Sequence, residues 1–283
     1  MTIINNQLYD INNDDITPQG HLEIPEGVTE ISGHMIGRNL SYSFTESNCR
    51  RLRLTSITFP DSCTRINEFA FSDCLSLETV RFGKGLEVIG KYAFSDCKWL
   101  KEVIFNDSTP WFRKIGHAAF ANCFRLTSIR LPDSVKTIDE YAFYGCASLT
   151  KIHMPVSLQY IGHGAFQNCD ALWSEKKNYK AFGLDEDGRL VCRGLHYTVG
   201  KRTAVKGEIE LCRRGLHYCT NLFEIFDFYN GIYGENFVIG ECKVSKEYDE
   251  EIGTSKRCAR AITPVHIYTR EEFIDILNKT NEA

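Results

Sequence analysis

The sequence predicts an α+β chain in two parts, a solenoid of short stacked coils followed by a small α+β domain. Three observations predict it. Ala-Phe pairs recur at Ala70-Phe71, Ala93-Phe94, Ala119-Phe120, Ala142-Phe143 and Ala165-Phe166, separated by 23, 26, 23 and 23 residues, and a fixed period in this range marks a solenoid. Each pair is followed three residues later by a cysteine, at Cys74, Cys97, Cys123, Cys146 and Cys169. After Leu172 the period stops and shorter runs of alternating apolar and polar residues take over.

Each coil has an internal logic, shown whole by Ile129, Leu131, Pro132, Val135, Ile138, Ala142, Phe143, Cys146 and Leu149. Alternation at Ile57/Phe59, Val80/Phe82, Ile129/Leu131 and Ile152/Met154 has the period of a short strand with one face inward. Pro60, Pro132 and Pro155 lack a donor for further pairing and end that strand. Leu86 and Ile89, Val135 and Ile138, and Leu158 and Ile161 then re-enter the core, while Ala-Phe packs a short helical or turn segment on the other flank. One coil cannot bury these groups alone, so neighbours stack at about 4.8 Å and cover one another. A small, slightly polar cysteine suits a buried turn, and the five repeated cysteines read as a reduced structural ladder.

These positions resemble the BspA-like leucine-rich repeats, whose unit runs close to LxxIxLPxxVxxIGxxAFxxCxxL. The resemblance implies a curved solenoid of 23-residue repeats that acts in adhesion or protein recognition and has no catalytic residues. Upstream, Leu22, Ile24, Pro25, Val28 and Ile31 fit one coil without Ala-Phe or Cys. The expected division is therefore an N-terminal cap with a degenerate repeat over 1–51, leucine-rich repeats over 52–174 and an α+β domain over 175–283. Three extra residues before Ile115 fall around 106–111 and form a turn-rich insertion on one rim.

Composition narrows the partners. The chain is 43% hydrophobic and 25% charged with a formal charge of -4, which favours neither nucleic acid nor an anionic membrane surface. The first residues lack the basic start and apolar run of a secretory signal, which predicts a cytoplasmic protein, or a secreted or cell-surface one if a signal has been removed. The strand residues between inward positions must point out, giving a row of Thr58, Arg81, Ile104, Arg130 and His153, joined by Glu78, Lys101 and Lys151 before or beside it. Its later half is modestly basic, so the expected partner is a protein with an acidic surface; the alternative is a solvated face with ordinary charges. Trp99 and Trp111, the latter in the insertion, are candidate exposed anchors because tryptophan is enriched in binding hot spots; the alternative for Trp99 is packing between coils. No cofactor is implied.

Beyond a charged junction at 173–180, strands are expected at Leu190 to Tyr197, Glu208 to Cys212, Gly215 to Cys219, Phe237 to Val244 and Ala259 to Tyr268, and a helix at Leu222 to Tyr229. A last helix begins at Thr269, with Glu272 as its capping-box partner and Phe273, Ile276 and Leu277 on its apolar face. Cys192, His196, Cys212, His217 and Cys219 match no common zinc spacing and read as core residues. Residues 179–268 resemble an uncharacterised domain of phage and gut-bacterial proteins, on Tyr197, Val199, Gly200, Lys201, Gly215, His217, Cys219 and Tyr229. The Gly-Leu-His strand also resembles ADP-ribosyltransferase-like folds, in which His196 or His217 would hold a nicotinamide ribose and Glu241 would serve as the acid. That enzyme is the competing reading to a recognition module.

Overall fold

The computed structural model describes residues 1–33, 52–106, 108–172, 178–192, 194–204, 216–220, 225, 232–233, 237–245, 248–250, 256–259 and 261–279. The chain divides into two compact units, Met1–Leu172 and Trp173–Asn281.

The first unit is a β-solenoid. Each coil contributes a three-residue strand and, after a turn, a two-residue strand. The three-residue strands are His21–Glu23, Ser56–Thr58, Thr79–Arg81, Glu102–Ile104, Ser128–Arg130 and Lys151–His153. The two-residue strands are Glu30–Ile31, Arg65–Ile66, Val88–Ile89, Lys114–Ile115, Thr137–Ile138 and Tyr160–Ile161. All pairing between coils is parallel, and Ile31, Ile66, Ile89, Ile115, Ile138 and Ile161 stand in one register. Each of these isoleucines is buried, as are the residues three positions earlier, Val28, Cys63, Leu86, Phe112, Val135 and Leu158.

The Ala-Phe segment forms turns rather than a helix. Its amides reach forward to the next coil: Phe71 N donates to Ala93 O at 2.7 Å and Phe94 N to Ala119 O at 2.8 Å, with Phe120 and Phe143 repeating the bond. The rings stack along the same line, Phe71–Phe94–Phe120–Phe143–Phe166, at centroid spacings of 5.4 to 5.5 Å and within 9° of parallel. The amides of two flanking residues per coil join this forward pairing. One is Asp73, Asp96, Asn122 or Gly145, all at positive φ, a conformation such residues tolerate. The other is Phe69, Tyr92, Ala118 or Tyr141, also at positive φ, where a bulky residue is unusual. The stacked neighbour holds it there. Gly116 follows the inward Ile115, and a Cβ on it would lie 2.7 Å from the Gly90 carbonyl carbon, so glycine permits the coils to close up.

The cysteine ladder is buried. Cys97, Cys123, Cys146 and Cys169 are free thiols, and their Sγ–H groups donate to the carbonyls of Phe71, Phe94, Phe120 and Phe143 at 3.1 to 3.4 Å. Burial pushes these thiols well above the ordinary cysteine pKa, so they act as weak donors and not as nucleophiles. Cys74 corrects the expectation of five reduced cysteines, because it is disulfide-bonded. At the N-terminal end, Thr2–Ile4 and Gln7–Asp10 form an antiparallel hairpin, and Gln7–Asp10 pairs in parallel with Glu30–Ile31. It covers that end of the ladder, where an open edge would be free to pair with other chains.

The second unit is a mixed-length antiparallel sheet. Its central path runs Thr203–Ala204, Ala261–Tyr268, Phe237–Val244, Tyr179–Leu184, Leu216–Cys219, Lys256–Ala259 and Tyr248–Glu250. The expected run from Leu190 to Tyr197 is a hairpin, Leu190–Cys192 and Leu195–Tyr197, turning at Gly194 with φ 75°; its first strand pairs with Tyr179–Leu184. Phe237–Val244 is a strand over the expected residues. Glu208 to Cys212 and the helix at Leu222 to Tyr229 lie outside the described residues apart from Ile225. The C-terminal helix is Arg270–Lys279, and its capping box is present: Thr269 N donates to Glu272 Oε2 at 2.7 Å and Glu272 N to Thr269 Oγ1 at 3.2 Å. Its buried residues are Ile274 and Leu277, while Phe273 and Ile276 are half-buried. The charged junction is also corrected at its end. Tyr179 and Lys180 belong to a buried strand, because hydrogen-bonded neighbours on both sides enclose it.

Candidate functional site

The candidate surface is the outward row of the three-residue strands. Each strand has one buried central residue, Ile57, Val80, Val103, Ile129 or Ile152, which fixes its flanking side chains outward. Register aligns Thr58 with Arg81 and Arg81 with Ile104, and separately Arg130 with His153. Ile104 and Arg130 are not paired. The strands run in one ladder from His21–Glu23 to Glu102–Ile104 and in a second from Ser128–Arg130 to Lys151–His153. The insertion after Phe105 falls between the two.

Arg81, Arg130 and Lys151 are exposed, and Thr58, Ile104 and His153 are half-buried. Lys101 Nζ and Glu78 Oε2 pair with each other at 2.8 Å. His153 Nε2 lies 3.8 Å from Asp133 Oδ1. The side chains of Arg81, Arg130 and Lys151 have no ion pair or hydrogen bond among the described residues, so three cations on the row remain to be met by something else. Trp111 is 62% exposed but sits on the turn beyond the row rather than on a strand. Trp99 is 45% exposed, on the turn that enters Glu102–Ile104, with the Arg125 guanidinium 3.9 Å above its ring, a cation–π contact.

Two residues escaped the sequence reading. His21 and Glu23 extend the row by one coil, in register with Ser56 and Thr58. His21 Nδ1 meets Ser56 Oγ at 2.8 Å and its Nε2 meets Glu23 Oε2 at 3.0 Å. The alternation His21-Leu22-Glu23 carried that signal, as Leu22 and Ile24 were already assigned inward. The row thus begins with an acid and ends in cations.

The residues of the enzyme reading, His196, His217 and Glu241, lie on three strands of the second unit. His196 lies 3.4 Å from Asp185, His217 stands opposite Cys258 in the sheet, and Glu241 Oε2 accepts from Tyr268 Oη at 2.9 Å. No cluster of three His, Cys, Asp or Glu side chains able to hold a metal occurs among the described residues.

The period, the register of inward isoleucines and the Phe and Cys ladders are the marks of one repeat class, and six copies of the BspA type leucine rich repeat region match residues 18–110 and 41–172. The chain belongs to the BspA-type leucine-rich repeat family. A second match, to a domain of unknown function (DUF7666), covers residues 176–276, so the repeat is followed by an uncharacterised domain. No curated protein matches the chain. Among solved structures, a leucine-rich repeat protein from Bacteroides ovatus is 33% identical with a TM-score of 0.44, covering 54% of this chain and 36% of that one. The leucine-rich repeat protein of T. pallidum is 30% identical with a TM-score of 0.39, covering 41% and 55%. A leucine rich cell surface protein from Faecalibacterium prausnitzii is 25% identical with a TM-score of 0.39, covering 64% and 57%. The chain therefore spans less than two thirds of the length of each of these. The family makes the repeat region a non-catalytic one, and no helix among the described residues is long and apolar enough to cross a membrane.

Proposed function

We propose that the repeat unit binds a protein with an acidic surface through the outward row of its three-residue strands. The observation that carries this reading is the set of cations, Arg81, Arg130 and Lys151, held on backbone whose register is fixed and left without carboxylate partners among the described residues. The fixed backbone sets the spacing of these side chains, so binding has to order their rotamers and not the strands that carry them, and a repeated strand face is where solenoids present extended surfaces. Exposed charges contribute mainly to the rate and specificity of association, so binding should weaken as salt shortens the Debye length to about 8 Å at physiological strength.

The test is affinity capture from a lysate of the source cell with the intact chain and with an Arg81→Glu, Arg130→Glu, His153→Glu triple variant. A protein retained by the intact chain, released by salt and lost in the variant supports the row. Retention unchanged by the three reversals would sink it and move the search to the second unit. The Cys74 disulfide favours a secreted or cell-surface setting over the cytoplasm, since disulfides persist in oxidising compartments. Thiol-trapping of protein taken directly from the source cell tests this: Cys74 blocked without prior reduction would return the chain to the cytoplasm.

A further inference from the structure

The turn that leads each coil into its three-residue strand runs Cys-x-x-Leu, with the cysteine and the leucine buried and the two residues between them outside the core. The second of those two is Ser76, Ser148 or Ala171 in three of the coils, so the turn needs no large side chain to form. In the two adjacent coils after Ser76 it is Trp99 and Arg125. Trp99 stays 45% exposed with the Arg125 guanidinium carbon 3.9 Å from its ring centroid, and Phe124, next to Arg125, is 42% exposed. Lys98 is exposed beside Trp99. Among the described residues neither Arg125 nor Lys98 has a carboxylate partner, whereas Lys101, two residues beyond Trp99, is already paired with Glu78. These turns open the two strands, Glu102–Ile104 and Ser128–Arg130, between which the ladder parts.

We propose that Trp99, Phe124 and Arg125 form a docking patch for an acidic segment of a protein partner, with a partner carboxylate on the Arg125 guanidinium and a neighbouring apolar side chain against the two aromatic residues. The patch deepens the reading of the strand row and rests on it for the acidic character of the partner. Charge and surface chemistry select this occupant. A guanidinium held over an indole still offers its N–H donors to a carboxylate, which can take two of them at once. The stack restrains that side chain before binding, so less rotamer freedom is lost when the carboxylate arrives. A partner's apolar side chain laid on Trp99 and Phe124 stabilises the complex by about 25 cal/mol per Å² removed from water, and tryptophan and arginine are the residues that dominate interface hot spots. A phosphate backbone fits less well, because the chain carries a formal charge of -4 and the exposed Glu102 stands three residues beyond Trp99.

The test pans a random dodecapeptide phage library over the immobilised full-length chain and measures the enriched peptides against the protein in solution. Those peptides are expected to carry Asp or Glu next to a large apolar residue. Arg125→Met, which keeps an apolar stem over Trp99, and Phe124→Ser are each expected to weaken them by about tenfold or more, and replacing the peptide's own Asp or Glu by Asn or Gln should cost as much. Peptides weakened by these two variants but indifferent to reversal of Arg81, Arg130 and His153 support the patch even where lysate capture has sunk the row. Peptides that respond only to the reversal overturn the patch and leave the row standing. No enrichment, enrichment of peptides without acidic residues, or tighter binding of single-stranded oligothymidylate than of any peptide also overturns the patch. Phe124→Ser leaves the Trp99–Arg125 contact in place, so it decides the outcome if Arg125→Met fails to fold.

Discussion

The two ladders of the repeat unit respond differently to the same three extra residues. The two-residue strands run without a break from Glu30–Ile31 to Tyr160–Ile161, whereas the three-residue strands part between Ile104 and Arg130. The inserted turn lies between Phe105 and Phe112, and is tied down locally. Thr109 Oγ1 donates to Asn106 O at 3.0 Å, and Ser134 Oγ to Thr109 O at 2.6 Å. Phe112 then resumes the inward position three residues before Ile115, and stacks on Phe105 at 5.1 Å. An insertion in a solenoid is therefore absorbed by one face while the isoleucine ladder and the phenylalanine spine keep the coils in register. The face that absorbs it is the one proposed to bind.

That contrast can be broken at the spine. Phe120 is fully buried between Phe94 and Phe143, and Phe120→Ala should cost about 3 to 5 kcal/mol in urea unfolding; a loss below 1 kcal/mol would show that the ring stack does not hold the coils. Hydrogen exchange sharpens it. Phe82 N donates to Ile104 O at 2.9 Å and Thr150 N to Thr127 O at 2.9 Å, but the equivalent amides at the break, Phe105 and Thr127, have no such bond among the described residues. They should exchange about tenfold faster or more, and equal protection would mean that the second ladder closes in solution.

The smallest effect concerns the flank beside the continuous ladder. Glu140 accepts a backbone bond and the Tyr160 hydroxyl at 2.8 Å, and lies 3.8 Å from His117, which together hold its carboxyl below the usual glutamate value of 4.5. A depressed carboxylate adds stability that is present above that value and lost as pH falls through the lowered one. Glu140→Gln should accordingly flatten the melting temperature's acid limb below about pH 4.5 and change little at pH 7. Parallel acid limbs in the two proteins would remove Glu140 from this account.

Much of this was legible without coordinates. The inward isoleucines, the Ala-Phe pairs and the cysteines declare their spacing, and spacing in a repeat is position. The row of Thr58, Arg81, Ile104, Arg130 and His153 follows from alternation alone, and the exposure of Trp111 from its place in the insertion. The helix cap at Thr269 and Glu272 was readable because capping is local chemistry. Lys180 was not readable. In sequence it closes a run of charged residues, and only strands distant in the chain, Leu216–Cys219, Leu190–Cys192 and Phe237–Val244, bury it.

The sequence by itself determined the solenoid, its period and the residues that face inward, because each coil meets a near copy of itself one period away. It also determined one left-handed column, since Asp73, Asp96, Asn122 and Gly145 are residues that accept positive φ. Only the tertiary structure decided the second column, where Phe69, Tyr92 and Tyr141 are forced into that region by bonds to the following coil. It alone decided which ladder yields to the insertion and that Lys180 is buried. Those outcomes depend on contacts between residues with no fixed spacing, and no local propensity encodes them.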